Sequence, residues 1–383
     1  MSAVSDERLG SRSSNDSWNE WRVDWRRLGR RALIAGMAAV AFVTLYMNAT
    51  GRQYALDFRG GMWHAGKSLL DGTSPYPAPV VSRLLSPGNA FIPPPLLAVI
   101  AIPFSVLPFG FAIMLWNVLC VASCAAALRV LGVRDWRVYV VALCSFPLVA
   151  SLILGQPDGL FALAAAVAWR YRDSSKGAVA VGALTAAKLL AWPLLVWLLV
   201  TRRVRSAAVA AVSAVGFVLG SWACIGFKGL GSYANLLSAD AHAFEARSQS
   251  VVAAAMRLGL PEATARILAI AFAVAVAAAV IRSARTRDEG WFTATLLLGL
   301  LISPILWSHY LVVLLVPLAI TRPRLDRLWL LLAVFWLSPL EPPKTVAQII
   351  LVLLTAAALG VRSGSKPALE PAASVAAAQP GTP

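Results

Sequence analysis

Four short polar interruptions break an otherwise apolar chain. They are Asp57 in Tyr54-Ala55-Leu56-Asp57-Phe58, Gln156 with Asp158 in Gly155-Gln156-Pro157-Asp158, Lys188, and His309 with Tyr310 in Trp307-Ser308-His309-Tyr310. Gathered around one cavity, a cation, an amide and a histidine can hold an anionic headgroup while a carboxylate removes a proton from a hydroxyl. Each residue also has an ordinary explanation. Asp57 can be a loop carboxylate paired with Arg52 or Arg59, Gln156 can cap the segment that follows it, Lys188 can snorkel along its own stem, and His309 can belong to an interfacial aromatic belt. Ionisable groups next to apolar spans are nonetheless costly unless they face water, a partner or a substrate. Asp57 is the most informative of them, because Gly60, Gly61 and Gly66 follow it and allow close approach to the backbone.

The elements that must position these groups follow from hydropathy. Apolar residues make up 59% and charged residues 14% of the 383 positions, and the apolar residues fall in blocks. The chain therefore reads as an all-α polytopic membrane protein, with about 10–12 transmembrane helices. Spans are expected near 32–49, 109–128, 138–155, 157–169, 177–187, 189–200, 206–227, 264–281, 291–307, 310–321, 328–340 and 344–361. With the N-terminus placed in the cytoplasm, 24 of the 34 basic residues fall in cytoplasmic segments, namely 1–31, 129–137, 170–176, 202–205, 282–287, 322–327 and 362–366. This bias puts both termini of a multi-pass cell-membrane protein in the cytoplasm. The expected division is a cytoplasmic segment 1–31, a membrane domain 32–362 with external loops 50–108 and 228–263, and a disordered tail 363–383.

Several segments are too short to cross a bilayer unaided. The stretch from Pro93 to Pro108 falls short of the roughly 20 residues that hydrocarbon requires, and reads as a re-entrant or interfacial helix on the external face. The segments flanking Gly155–Asp158 and Lys188 are also short, and such interrupted backbone is tolerated where it lines a cavity. The four polar interruptions lie at the external ends of their segments, so the expected site is extracytoplasmic. The basic loops are short and leave no room for a soluble catalytic domain.

The net charge of +16 is distributed over short loops between apolar blocks, which is a topology signal and not a nucleic-acid face. Cys120, Cys124, Cys144 and Cys224 lie in apolar segments without zinc-type spacing and read as small core residues; with three histidines in the chain, no metal site and no cofactor is expected. Gly216-x-x-x-Gly220 fits packing within one bundle as well as dimerisation. Broken helices around a polar cavity also suit a transporter or flippase, although the second half of the chain does not repeat the Asp57 block. A structural partner in an envelope assembly is a third possibility.

The order Tyr54-x-x-Asp57-Phe58, Ala65-Gly66, Gly72-x-x-Pro75-Tyr76, Phe91-x-Pro93-Pro94, Gly155-Gln156, Lys188-x-x-x-x-Pro193 and Ser308-His309-Tyr310 resembles glycosyltransferase family 87 over about residues 45–320. That family comprises polyprenyl-phosphate-mannose-dependent mannosyltransferases of the C-type superfamily. The resemblance implies metal-independent, inverting transfer of a hexose, mannose by family default, from a polyprenyl-phosphate sugar to a glycolipid or glycan acceptor at the extracytoplasmic face. It assigns Asp57 as general base, Lys188 and His309 to the donor phosphate, and Tyr76, Gln156 and Tyr310 to the substrate cavity. Two departures stand out. Members often carry Phe-x-Tyr-Pro-Pro where this chain has Phe91-Ile92-Pro93-Pro94-Pro95, and many show Asn-Gln-Ser where it has Ser248-Gln249-Ser250.

Overall fold

The structure is a computed structural model, which describes residues 25–49, 54–77, 84–85 and 91–337. Residues 1–24 of the expected cytoplasmic segment, Arg52, the last expected span at 344–361 and the tail 363–383 lie outside them. The described residues form helices and connecting turns with no strand, so the protein is an all-α polytopic membrane protein. Among the described residues, four helices are long and apolar enough to cross a membrane: Leu28–Met47, Phe109–Val130, Val204–Cys224 and Glu262–Ser283. Trp136–Leu143 and Phe146–Leu154 are long enough only together, and they are bent by 51° at the break between them. Pro147 enters the second helix at its first turn and Ser145 Oγ donates to the Ala142 carbonyl at the break, two ordinary causes of a kink. The outer faces of two long helices expose Val212, Val215 and Leu219, and Ile267, Ile270 and Val274, as a lipid solvent allows.

The remaining apolar helices are short. Asp158–Arg170 and Ser175–Ala187 have 13 residues each, or about 20 Å at 1.5 Å per residue, and Pro95–Ser105 has 11. They pack inside the bundle, and small residues let their backbones approach. Gly159 lies against the Cys120 carbonyl so closely that a Cβ would overlap it, and Gly182 meets Ala210 and Ser213 in the same way. Ala162, Ala165 and Ala166 continue the first of these seams and are fully buried. Gly66 sits against Ser105, whose hydroxyl donates to the Trp63 carbonyl at 2.9 Å; this fastens the segment after Asp57 to Pro95–Ser105. Cys120 and Cys124 are core residues, whereas Cys224, at a helix end, is exposed.

Basic loops meet one another at the end remote from Lys188. Asp288 accepts from Arg172 at 2.7 Å, from both terminal nitrogens of Arg203 at 2.8 Å and from Trp197 Nε1 at 2.8 Å, joining three loops. Asp135 caps Trp136–Leu143, pairs with Arg137 at 2.8 Å and accepts from the Leu325 amide at 3.0 Å. The Arg137 guanidinium holds the Asp135 carboxyl down to about 2. At the other end, the two long loops touch: Lys228 Nζ donates to the Gly72 carbonyl at 2.6 Å and the Tyr233 hydroxyl to the Ile92 carbonyl at 3.0 Å.

Candidate active site

Asp57 begins a seven-residue π-helix, Asp57–Trp63, a rare geometry that recurs at functional sites. The turn before it is held in an unusual conformation. Ala55 has φ 55°, and its amide donates to the Ile153 carbonyl at 2.7 Å. Phe58 is buried and stacks on Trp116 at 5.2 Å between centroids, while Trp116 Nε1 donates to the Gly155 carbonyl at 2.9 Å. Gly155 itself has φ 75°, and a Cβ there would stand 2.5 Å from the Phe58 Cβ, so only glycine fits both the turn and the contact. Asn117 Nδ2 completes the seat by donating to the Tyr54 hydroxyl at 2.7 Å and the Leu152 carbonyl at 3.2 Å.

This seat brings Gln156 to Asp57. Gln156 Nε2 donates to Asp57 Oδ2 at 2.7 Å, across 99 residues of sequence, so Gln156 orients the carboxylate in addition to ending a helix break. The Arg59 guanidinium lies over the Phe109 ring at 4.0 Å.

The second half of the site centres on Asp158, which is buried at the start of Asp158–Arg170. Its carboxylate accepts from Lys188 Nζ at 3.1 Å and from Ser151 Oγ at 3.0 Å, and stands 2.7 Å from His309 Nδ1. Lys188 does not snorkel away from the core. Its backbone is extended at the break after Ser175–Ala187, and its ammonium sits 3.3 Å from the Tyr310 ring centroid and 5.1 Å from that of Phe161. His309 is buried, its ring edge-on to Tyr310 at 4.7 Å. A carboxylate so close to Nδ1 accepts a hydrogen bond from an N–H on that nitrogen and so fixes the ring's tautomer and orientation. The preceding Ser308 donates to Gln249 Oε1 at 2.8 Å, and the Gln249 amide to the Leu306 carbonyl at 2.8 Å, so the Ser248-Gln249-Ser250 stretch buttresses the histidine segment.

Asp57, Gln156, Lys188, His309 and Tyr310 all line one cavity of about 740 Å³, whose remaining wall is largely apolar and aromatic. Tyr76, which the resemblance assigns to the substrate cavity, is not among the residues that line this one. Its ring packs against Trp222, Phe91 and Tyr233 at 5.2–5.5 Å and its hydroxyl donates to the Pro93 carbonyl at 3.0 Å. It braces the wall that Phe91, Pro93 and Tyr233 form. Sequence reading also missed the central place of Asp158. Opposite charges at 158 and 188 within apolar runs are the signal that could have revealed the pair, since buried charges need partners. Among the described residues, no three His, Cys, Asp or Glu side chains converge to hold a metal ion.

Comparison with known proteins agrees with this architecture. The model of glycosyltransferase family 87 matches residues 91–304, a stretch that holds Gln156, Asp158 and Lys188 and leaves Asp57 and His309 outside it. No curated protein and no solved structure matches the chain. The family match covers more than half of the sequence, and the chain belongs to glycosyltransferase family 87.

Proposed function

We propose that this membrane glycosyltransferase moves a hexose, mannose by family default, from a polyprenyl-phosphate donor to a lipid or glycan acceptor. The reading rests on one observation: a single cavity carries an oriented carboxylate, Asp57 with Gln156, and a separate cationic cluster, Lys188 with Asp158 and His309. In the proposed reaction, the acceptor hydroxyl oxygen attacks the anomeric carbon from the face opposite the phosphate. The bond from that carbon to the phosphate oxygen breaks, the electron pair leaves with polyprenyl phosphate, and Asp57 takes the hydroxyl proton. A single displacement inverts the anomeric centre. Lys188 meets the charge on the leaving phosphate; its ammonium has three donors, so a contact with Asp158 does not preclude one with substrate. Incubating the purified protein with a panel of polyprenyl-phosphate sugars and a host lipid extract, with mass spectrometry of the products, tests the reading. Absence of product from every polyprenyl-phosphate donor would overturn it.

Lys188→Ala is expected to weaken donor binding by about tenfold or more, the scale of a hydrogen bond to a charged group. Titration with a polyprenyl phosphate measures this. Unchanged affinity would leave Lys188 as no more than the counter-ion of Asp158.

The proposed topology places both termini and the loops 129–137 and 282–287 in the cytoplasm, and 50–108 and 228–263 outside with the cavity. The 24 basic residues on one side support it, as do the contacts that join the basic loops to one another and the two long loops to each other. Single cysteines introduced into a background lacking the four native ones should react with an impermeant reagent only in the external loops. Labelling of 282–287 from outside would refute the assignment.

A further inference from the structure

The cavity contains a second carboxylate that the mechanism above leaves unused. Asp240 lies on Leu230–Phe244, where Tyr233, Leu237, Asp240 and Phe244 recur at helical spacing, and all four line the cavity. This face is therefore a cavity wall bearing two aromatic rings, a leucine and one acid. Asp240 is half-buried and makes no hydrogen bond or ion pair with another described residue. Burial pushes its carboxyl up to about 6, with no cation among the described residues holding it down. Asp240 and Asp57 line the same cavity, as does Tyr310.

A carboxylate can only accept hydrogen bonds, so a ligand that satisfies Asp240 must donate them. Two carboxylates lining one cavity disfavour an anionic group beside them and suit a neutral polyol. The flanking rings of Tyr233 and Phe244 offer apolar faces for the C–H side of a sugar ring. We propose that Asp240 is an acceptor-binding residue: it accepts hydrogen bonds from hydroxyls of a neutral saccharide, seats that sugar on the Tyr233 and Phe244 face, and so presents another hydroxyl to Asp57. The same carboxylate discriminates against acceptors that carry a negative charge on the sugar being extended. This inference rests on the glycosyl-transfer reading for the identity of its ligand, but it can be tested by binding alone.

The test uses the full-length protein in lipid nanodiscs, with octyl α-mannoside and octyl β-glucuronide below micellar concentration and a polyprenyl phosphate as probes. Tryptophan fluorescence reports binding, since Trp192 and Trp307 line the cavity. The wild type should bind the mannoside in preference to the glucuronide. Asp240→Asn should weaken mannoside binding by about tenfold or more, narrow the preference against the glucuronide and leave polyprenyl-phosphate binding unchanged. Equal mannoside affinity in wild type and Asp240→Asn, or no mannoside binding by the wild type, would overturn the proposal. If Asp240→Asn loses polyprenyl-phosphate binding as well, Asp240→Glu decides. Retained mannoside binding with the carboxylate restored supports the role, and its loss refutes it. Mannoside binding that depends on Asp240, together with no turnover of any polyprenyl-phosphate sugar, would sink the glycosyl-transfer reading and not this one.

Discussion

Asp57→Asn is expected to slow sugar transfer by about 100-fold to 10,000-fold while leaving donor binding intact, the range over which a positioned general base typically acts. The substitution preserves size, and the asparagine carbonyl can still accept from Gln156 Nε2, which reaches Asp57 at 2.7 Å. The surrounding seat depends on Phe58, Trp116 and Gly155, none of which the change touches. What the variant lacks is a group able to take the acceptor's proton. Single-turnover measurement with a labelled polyprenyl-phosphate sugar separates that step from binding and release. A rate near that of the wild type would remove Asp57 from the catalytic role. Parallel titration with a polyprenyl phosphate checks that the loss is chemical: weakened binding would mean that the variant has disturbed the cavity instead.

The difference in what the sequence revealed about Asp57 and Asp158 has a physical origin. Asp57 was conspicuous because it follows an apolar span and precedes glycines, a local pattern. Its partner Gln156 was visible as a break, Gly155-Gln156-Pro157, but nothing local says that the amide reaches an acid 99 residues earlier. That contact depends on Trp116 and Phe58 locking two helix ends together. Asp158 was less conspicuous because a helix N-terminus is an ordinary place for an acid. Its role depends on Lys188 and His309, brought from 30 and 151 residues away by the packing of short helices. Tyr76 shows the reverse case. The resemblance implies a place for it in the substrate cavity, yet its ring packs against Trp222, Phe91 and Tyr233. Membrane helices were legible wherever they are long, as in Phe109–Val130. The short ones were legible as interruptions, whose depth and neighbours hydropathy alone does not set. Asp240 escaped notice because a single acid in a loop carries no local signal of its own, and the helix Leu230–Phe244 turns it toward the cavity.

The buried ion pair makes the other large prediction. Asp158→Ala should destabilise the protein by about 3 kcal/mol, because it leaves the largely buried Lys188 ammonium without a counter-charge and frees His309 from its fixed orientation. A buried pair need not itself be a source of net stability. Desolvation of two charges offsets much of their attraction, and apolar replacements of similar volume are often as stable as the pair. Asp158→Ala combined with Lys188→Met should therefore recover most of the stability lost in the single variant, since no unpaired charge remains. Thermal unfolding of the four proteins in the same detergent, compared as a double-mutant cycle, measures the coupling. If Asp158→Ala unfolds at the wild-type temperature, or the double variant is no more stable than the single, the cluster does not carry the energetic role assigned to it. The double variant also separates structure from chemistry. It retains Asp57, Gln156 and the cavity wall but lacks the cation, so recovered stability with continued loss of polyprenyl-phosphate binding would assign Lys188 to the donor. Recovered stability together with recovered binding would instead mean that the donor phosphate is held elsewhere in the cavity, and that the charge at Lys188 serves Asp158 alone.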